Sequence, residues 1–198
     1  MSAEIDHSKK ILRERLRAGA GKMSAAERAF ASAELCARLQ EQTVWQQARS
    51  VLLFSPLPDE PDVRLLLTAA LAAGKTAALP RYDETAQDYG AARVTDPARD
   101  LSPGRFGVYE PGPHCPPIAL NNLDFVLVPG LGFDLAGGRL GRGKGYYDRL
   151  LARVPGMKCG AAYEWQMVAA VPREPHDVQL NCILTPTRWH FVVRPRQV

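Results

Sequence analysis

The chain has 198 residues, of which 46% are apolar and 23% charged, with a formal net charge of +4. That length suits one domain able to bury a sizeable core, and the balance is that of an ordinary soluble globular protein. No apolar run approaches the roughly 20 residues that span a bilayer, which argues against a membrane protein. The N-terminus, MSAEIDHSKK, carries two acids and no apolar core of a leader, so neither a secretory signal nor a transit peptide is expected and the expected location is cytoplasmic. Cys36, Cys115, Cys159 and Cys182 include no CxxC pair, and His7, His114, His176 and His190 show no metal-ligand spacing; the cysteines read as buried or incidental thiols. The basic residues gather at the N-terminus and in one glycine-rich stretch, which suits a small polyanion at least as well as a nucleic acid.

In chain order, Ser8 to Ala18 reads as a helix with Ile11, Leu12 and Leu16 toward a core. Ser24-Ala-Ala-Glu27 is a capping box that opens a second helix. Ser50 to Phe54 is a short apolar strand broken by Pro56 and Pro58, Val63 to Ala73 a helix stopped by Gly74, and Thr76 to Leu79 a strand stopped by Pro80. Weaker strands are Ala91 to Thr95 and Phe106 to Tyr109, the latter in a proline- and glycine-rich region from Gly104 to Pro117 that must be an ordered loop or a linker. Phe125 to Val128 is a buried strand, followed by a glycine-rich loop and a helix to about Val154. Lys158 to Tyr163, Asn181 to Leu184 and Trp189 to Val193 close the chain as strands. This alternation predicts a single-domain, Rossmann-like three-layer α/β/α sandwich over residues 1–198, with a largely parallel sheet and its ligand beyond the carboxyl ends of the strands.

Val128 to Arg149, VPGLGFDLAGGRLGRGKGYYDR, holds seven glycines in 22 residues. A strand, a glycine loop carrying cations and a helix start together predict an anion site, because glycines let N–H groups converge on phosphate oxygens. Gly138-Arg-Leu-Gly-Arg-Gly143-Lys144 has P-loop spacing, but Gly145 stands where a magnesium-binding hydroxyl is required. Gly141, Gly143 and Gly145 are spaced GxGxG, so the dinucleotide fingerprint fails as well. Asp148 is then the nearest group able to hold a cation. The competing reading is a surface loop whose glycines only make turns.

The run GRLGRGKGYYDR, the preceding VPGLGFD and the later VPREPHDV closely resemble the 5-formyltetrahydrofolate cyclo-ligase (5,10-methenyltetrahydrofolate synthetase) family. The resemblance extends over nearly the whole chain, taking in a basic first helix, a proline- and acid-bearing loop after the first strand and an FG…EP element. It implies ATP-dependent cyclisation of 5-formyltetrahydrofolate to 5,10-methenyltetrahydrofolate with magnesium. ATP would be the co-substrate and Mg2+ the cofactor, in a monomer that takes free or polyglutamylated folate and no nucleic acid. It also implies a formyl phosphate or iminium phosphate intermediate. Phosphorylating a formamide oxygen converts a poor leaving group into phosphate, and N10 can then close the ring.

On that resemblance Lys9, Lys10 and Arg13 reach ATP from the first helix, Lys9 and Arg13 sharing a face that Arg17 continues. Arg139, Leu140, Gly141, Arg142, Gly143, Lys144, Gly145, Tyr146 and Tyr147 wrap ATP, and Arg142 through Tyr146 also contact folate. Arg142 and Lys144 are the expected catalytic cations that stabilise the transferring phosphoryl group. Asp148 and Asp177 match the magnesium carboxylates, and Glu60, with Asp59 as its neighbouring competitor, the folate-binding acid. Phe54 and Pro56 are apolar walls, and Tyr146, Tyr147 and Trp165 are candidates to stack on flat rings. Each assignment has a structural alternative: a solvated basic helix face, a helix-start acid at Asp148, a turn residue at Asp177, or a core aromatic. The chain departs from the family pattern at Pro61-Asp62-Val63, Asn181 and Thr185-Pro186. Those departures keep open a non-catalytic nucleotide- or folate-binding module. Fold analogy alone suggests a sugar-phosphate isomerase or transferase.

Overall fold

The computed structural model describes residues 2–192, apart from the side chains of Ser2 and Phe106. Its α-helices are α1 (Ser2–Ala20), α2 (Ala25–Gln40), α3 (Thr43–Gln47), α4 (Arg64–Ala72), α5 (Pro97–Asp100) and α6 (Tyr146–Ala152). Its strands are β1 (Ser50–Leu52), β2 (Thr76–Asp83), β3 (Asp88–Val94), β4 (Leu101–Pro103), β5 (Tyr109–Pro111) and β6 (Pro117–Ile118), then β7 (Phe125–Val128), β8 (Gly132–Phe133), β9 (Arg139–Leu140), β10 (Met157–Ala161), β11 (Cys182–Leu184) and β12 (Trp189–Phe191). The capping box forms as expected: Ser24 Oγ accepts the Glu27 N–H at 3.2 Å, and the Glu27 carboxylate accepts the Ser24 N–H at 2.7 Å. Those bonds satisfy donors that the first turn would otherwise leave open.

The main sheet runs β12-β11-β10-β7-β1-β2-β3-β6. Its centre, β11-β10-β7-β1-β2, is parallel, while β12, β3 and β6 add antiparallel edges. All four residues of β7 are buried, as a strand covered on both faces requires. Val51, Leu53, Phe125, Leu127 and Cys159 pack on one face against Leu35 and Leu39 of α2, Trp45 of α3 and Leu66 of α4. Leu52, Val126, Val128 and Ile183 pack on the other against Leu150 and Leu151 of α6. Helices on both faces of a mostly parallel sheet make the expected α/β/α sandwich. The four cysteines are buried thiols. No helix among the described residues is long and apolar enough to cross a membrane.

Several boundaries differ from the sequence expectation, each for a physical reason. Strand β2 does not stop at Pro80; it continues to Asp83 with Pro80 opposite Ala91. The Ala78 carbonyl accepts the Leu53 N–H, so alternation turns Pro80 toward the β1 side, where β1 has already ended and no N–H is needed. The candidate strand at Phe106 to Tyr109 is instead a 3-10 turn, Arg105–Gly107, followed by β5. The last expected strand includes Val193, which lies outside the described residues.

The largest difference falls in the glycine stretch. It is not one continuous loop but a hairpin, β8–β9, followed by the segment Gly141 to Gly145 and a seven-residue α6 that ends at Ala152 rather than Val154. Asp134 makes the hairpin. Its buried carboxylate accepts the N–H groups of Ala136 at 2.9 Å, Gly138 at 2.8 Å and Val171 at 2.7 Å. A tight turn leaves such N–H groups without strand partners, and a charged acceptor satisfies them together. Leu16 of α1 packs with Leu131, Leu140 and Val171 against this hairpin. Asp134→Ala should therefore cost about 2–3 kcal/mol of stability in urea unfolding, from buried donors left unmet. A loss within about 0.5 kcal/mol, the range of ordinary surface substitutions, would show that the turn holds without its carboxylate.

Candidate active site

Strands β1 and β7 run parallel, so the chain leaves both at the same edge of the sheet, at Phe54 and at Pro129-Gly130. A cavity of about 730 Å³ opens there. One side is polar: Asp6, Lys9 and Arg13 of α1, Arg139 of β9, Asp148 of α6, and Glu174, His176 and Asp177 from the connection between β10 and β11. The other side is largely apolar and aromatic, built by Phe54 and Leu57 after β1, Pro80 of β2, Tyr89 of β3, and Val108, Tyr109 and Glu110 around β5. The segment Gly141 to Tyr147 lines the space between them. The strand order explains the division, since β1, β2 and β3 supply one side while β7 and the connections beyond it supply the other.

The charges of the site meet in cation–carboxylate pairs. Lys9, 6% exposed, places Nζ 2.6 Å from Asp177 Oδ2 and 3.0 Å from Glu174 Oε2. Arg139, 9% exposed, donates to Asp148 Oδ2 at 2.9 Å, and its buried Nε has no hydrogen-bond partner. Arg142 donates to Glu60 Oε1 at 3.1 Å and to Asp59 Oδ1 at 2.6 Å. Arg13 Nε donates to the Gly141 carbonyl at 3.0 Å and so ties α1 to the glycine segment. A lone buried charge would cost several kcal/mol, so pairing is what allows these groups to line a cleft.

The pairing is visible in proton affinities. Burial works to lower the Lys9 ammonium, but hydrogen bonds and charge from Asp177 and Glu174 raise it above its ordinary 10.5. Burial works to raise the Asp177 carboxyl, but the Lys9 hydrogen bond, the Glu174 N–H and the Lys9 charge hold it below 3.8. Glu60 goes the other way. Burial raises its carboxyl, and neither the Leu57 N–H nor Arg142 cancels the effect. Gly143 and Gly145 have φ of +100° and +68°, a left-handed backbone that disfavours any side chain, and Gly145 caps α6.

The structure brings Phe54, Glu60, Lys9, Arg13, Arg139, Leu140, Gly141, Arg142, Gly143, Lys144, Gly145, Tyr146, Tyr147, Asp148 and Asp177 to this one cavity. It does not bring Lys10, Arg17, Pro56 or Trp165 there. Lys10 is exposed, a third of a turn around α1 from Lys9. Trp165 stacks on Tyr163 beneath α1, with centroids 6.5 Å apart. Asp59 reaches the site only through Arg142. Sequence reasoning missed Asp6 and Glu174, although each sits three residues before an expected site residue. It also missed Tyr89, which carried no local signal, and Glu110, which lies in the FG…EP element but was given no role. Asp100, His114 and Cys115 gather within metal-ligand reach, contrary to the spacing argument for His114. Asp100 is already held by Arg99, Asp96 and Thr95, which keep its carboxyl far below its ordinary value. None of the three lines the cavity.

Asp148 and Asp177 are the expected magnesium carboxylates, and Asp6 and Glu174 line the same cavity. All four lie on the polar side but, among the described residues, belong to no group of three protein ligands close enough to enclose an ion. Few carboxylates, with phosphate and water completing the shell, is the arrangement magnesium favours.

The fold and its cavity define an α/β protein with a cleft of paired cations and carboxylates beside an aromatic wall. The model of the 5-formyltetrahydrofolate cyclo-ligase family matches residues 5–186. A 5-formyltetrahydrofolate cyclo-ligase of Mus musculus is 27% identical over 191 residues, 91% of this chain and 94% of that relative. One from Mycolicibacterium smegmatis is 33% identical over 158 residues, 74% of this chain and 78% of the relative. The solved 5,10-methenyltetrahydrofolate synthetase of Aquifex aeolicus superposes with a TM-score of 0.85 at 32% identity, over 96% of this chain and 95% of that one. The chain belongs to the 5-formyltetrahydrofolate cyclo-ligase family, an ATP-dependent ligase family.

The Lys9–Asp177 pair has a testable pH signature. The depressed Asp177 carboxyl contributes stability above 3.8 and loses it as pH falls through its lower folded value. The raised Lys9 ammonium contributes below 10.5 and loses it as pH rises through its higher folded value. Lys9→Met should therefore be less stable than the parent by a margin that is level from about pH 5 to about pH 9 and narrows beyond both ends. Chemical denaturation across that range checks it; a margin that widens in acid would contradict the pairing.

Proposed function

We propose that this protein converts 5-formyltetrahydrofolate and ATP into 5,10-methenyltetrahydrofolate, ADP and phosphate. The observation that carries this reading is the single cavity in which an anion-binding side and an aromatic side meet at Gly141 to Tyr147. The triphosphate lies along Lys9, Arg13 and Arg139, where the unpartnered Nε of Arg139 offers a donor. The flat folate ring lies against Phe54 and Tyr146, with the Glu60 carboxylate facing its donor-rich edge. Of the two expected apolar walls Phe54 lines the cavity and Pro56 does not.

The formyl oxygen attacks the γ-phosphorus and ADP departs. N10 then attacks the formyl carbon, its proton is released, and the C–O bond breaks as phosphate leaves with the former formyl oxygen. The protein's part is to hold the two substrates in line and to stabilise charge on the transferring group. Arg142 and Lys144, on the segment between the two sides, take the second role: Arg142 is oriented by Glu60 and Asp59, and Lys144 is exposed at the mouth. Asp148 and Asp177 would hold Mg2+, which bound there neutralises phosphate charge. On this reading Lys9 and Arg139 leave their carboxylates for phosphate when the metal–nucleotide complex enters. Residues 1–198 act as one monomeric, cytoplasmic unit that takes free or polyglutamylated folate and has no use for nucleic acid or membrane.

The direct test mixes the protein with 5-formyltetrahydrofolate, ATP and Mg2+ and follows methenyl product by its absorbance. Product should form only with all three present; folate binding without any turnover would favour a non-catalytic module instead. Asp148→Ala should lose roughly 100-fold in kcat, as removal of a metal carboxylate implies, and should still fold but with a lowered unfolding midpoint, because buried Arg139 loses its partner. Glu60→Gln should raise the KM for folate and leave that for ATP near its parent value. A change in the ATP dependence instead would move Glu60 to the nucleotide side.

A further inference from the structure

The β2–β3 hairpin overshoots the parallel core and reaches the rear of the glycine segment. Tyr82 and Tyr89 stand opposite each other in its register, with ring centroids 5.2 Å apart. Tyr146, the first residue of α6, meets both rings edge-on, at 5.8 Å from Tyr82 and 5.2 Å from Tyr89. The Arg149 guanidinium lies 5.1 Å from the centre of the Tyr146 ring and is held by Asp88 of the same hairpin. Behind them Glu110 is 8% exposed. Its Oε1 accepts the Tyr89 hydroxyl and its Oε2 the Tyr82 N–H, both at 3.0 Å.

This packing matters because the segment it holds has little stiffness of its own. Gly143 and Gly145 lie just before Tyr146. The front of the segment is tied down by Arg13 on the Gly141 carbonyl and by Glu60 on Arg142. At the rear Tyr146 meets Tyr82 and Tyr89, with Arg149 over its ring. A displacement there of even 1 Å would misplace groups that must act on both substrates.

We propose that Glu110 and Tyr89 are positioning residues: Glu110 orients Tyr89, Tyr89 orients Tyr146, and the chain sets the fit of the flat-ring substrate rather than that of the nucleotide. Both residues line the cavity. Burial, reinforced by Glu110, pushes the Tyr89 hydroxyl upward, so it remains a donor across the working pH range. The proposal rests on assigning the aromatic side to the folate ring.

The experiment is a double-mutant cycle on the full chain with Tyr89→Phe, Glu110→Gln and both together. Tyr89→Phe keeps the ring and removes only the hydroxyl. It should raise the KM for 5-formyltetrahydrofolate roughly fivefold, the net scale of one ordinary hydrogen bond, with the KM for ATP within about twofold. Glu110→Gln keeps the shape but can serve only one of its two donors, and should act in the same direction. Because the two act in series, the double variant should be no worse than the worse single one. Folate KM values that multiply in the double variant, equal effects on both substrates, or a wild-type folate KM for Tyr89→Phe would each overturn the proposal. If the parent makes no methenyl product, the functional reading has failed separately. The cycle is then read from 5-formyltetrahydrofolate affinity by calorimetry, where parent-like binding by Tyr89→Phe, or no binding by the parent, overturns it.

Discussion

Cations held in a cleft where water is scarce must be satisfied by partners within the protein. Here carboxylates do it. Lys9 rests on Asp177 and Glu174, Arg139 on Asp148, and Arg142 on Glu60 and Asp59. Breaking one such pair leaves its partner as an uncompensated buried charge, which costs more than the pair itself contributes. A ligand that enters has to answer both members at once. In the proposed complex triphosphate answers Lys9 and Arg139, a divalent cation would answer Asp148 and Asp177, and a donor-rich ring edge answers Glu60. On the proposed reading this favours entry of nucleotide and metal as one complex, because either alone would strand a charge.

The fold serves that requirement. Parallel β1 and β7 present their exits side by side, while β2 and β3 extend beyond them to build an aromatic wall. The hairpin β8–β9, closed by Asp134, carries Arg139 inward and gives α1 a surface to lie on. Leu16 anchors that helix, and the stripe formed by Asp6, Lys9 and Arg13 then faces the cavity. The glycine segment sits where the polar and aromatic sides meet, which is why it holds both left-handed glycines and the tyrosine that the hairpin grips.

Much of this was legible in the chain because it is local. The apolar run of β7, the capping box at Ser24 and the glycine block each depend on neighbours a few residues away. The block also marked the site without revealing its shape, since a hairpin closed by one aspartate looks in sequence like a longer loop. Helix phase separates Lys9 from Lys10, and composition does not encode it. Pro80 was misread because its missing N–H matters only where a partner strand still runs. The pairs that hold the charges were out of reach for a different reason: Lys9 and Asp177 are 168 residues apart, and nothing near either names the other. Glu110 stood in the FG…EP element, but its bond to Tyr89 became visible only once the hairpin and β5 were folded together.

The central claim is that the two sides of one cavity bring a phosphoryl group to a formyl oxygen. Oxygen-18 placed in the formyl group of 5-formyltetrahydrofolate follows that atom directly. A single turnover with ATP, with the released phosphate read by mass spectrometry, should find one labelled oxygen in each phosphate per methenyl product and none in ADP. Label recovered in water, with unlabelled phosphate, would mean that the formyl oxygen left without being phosphorylated, and would contradict the account.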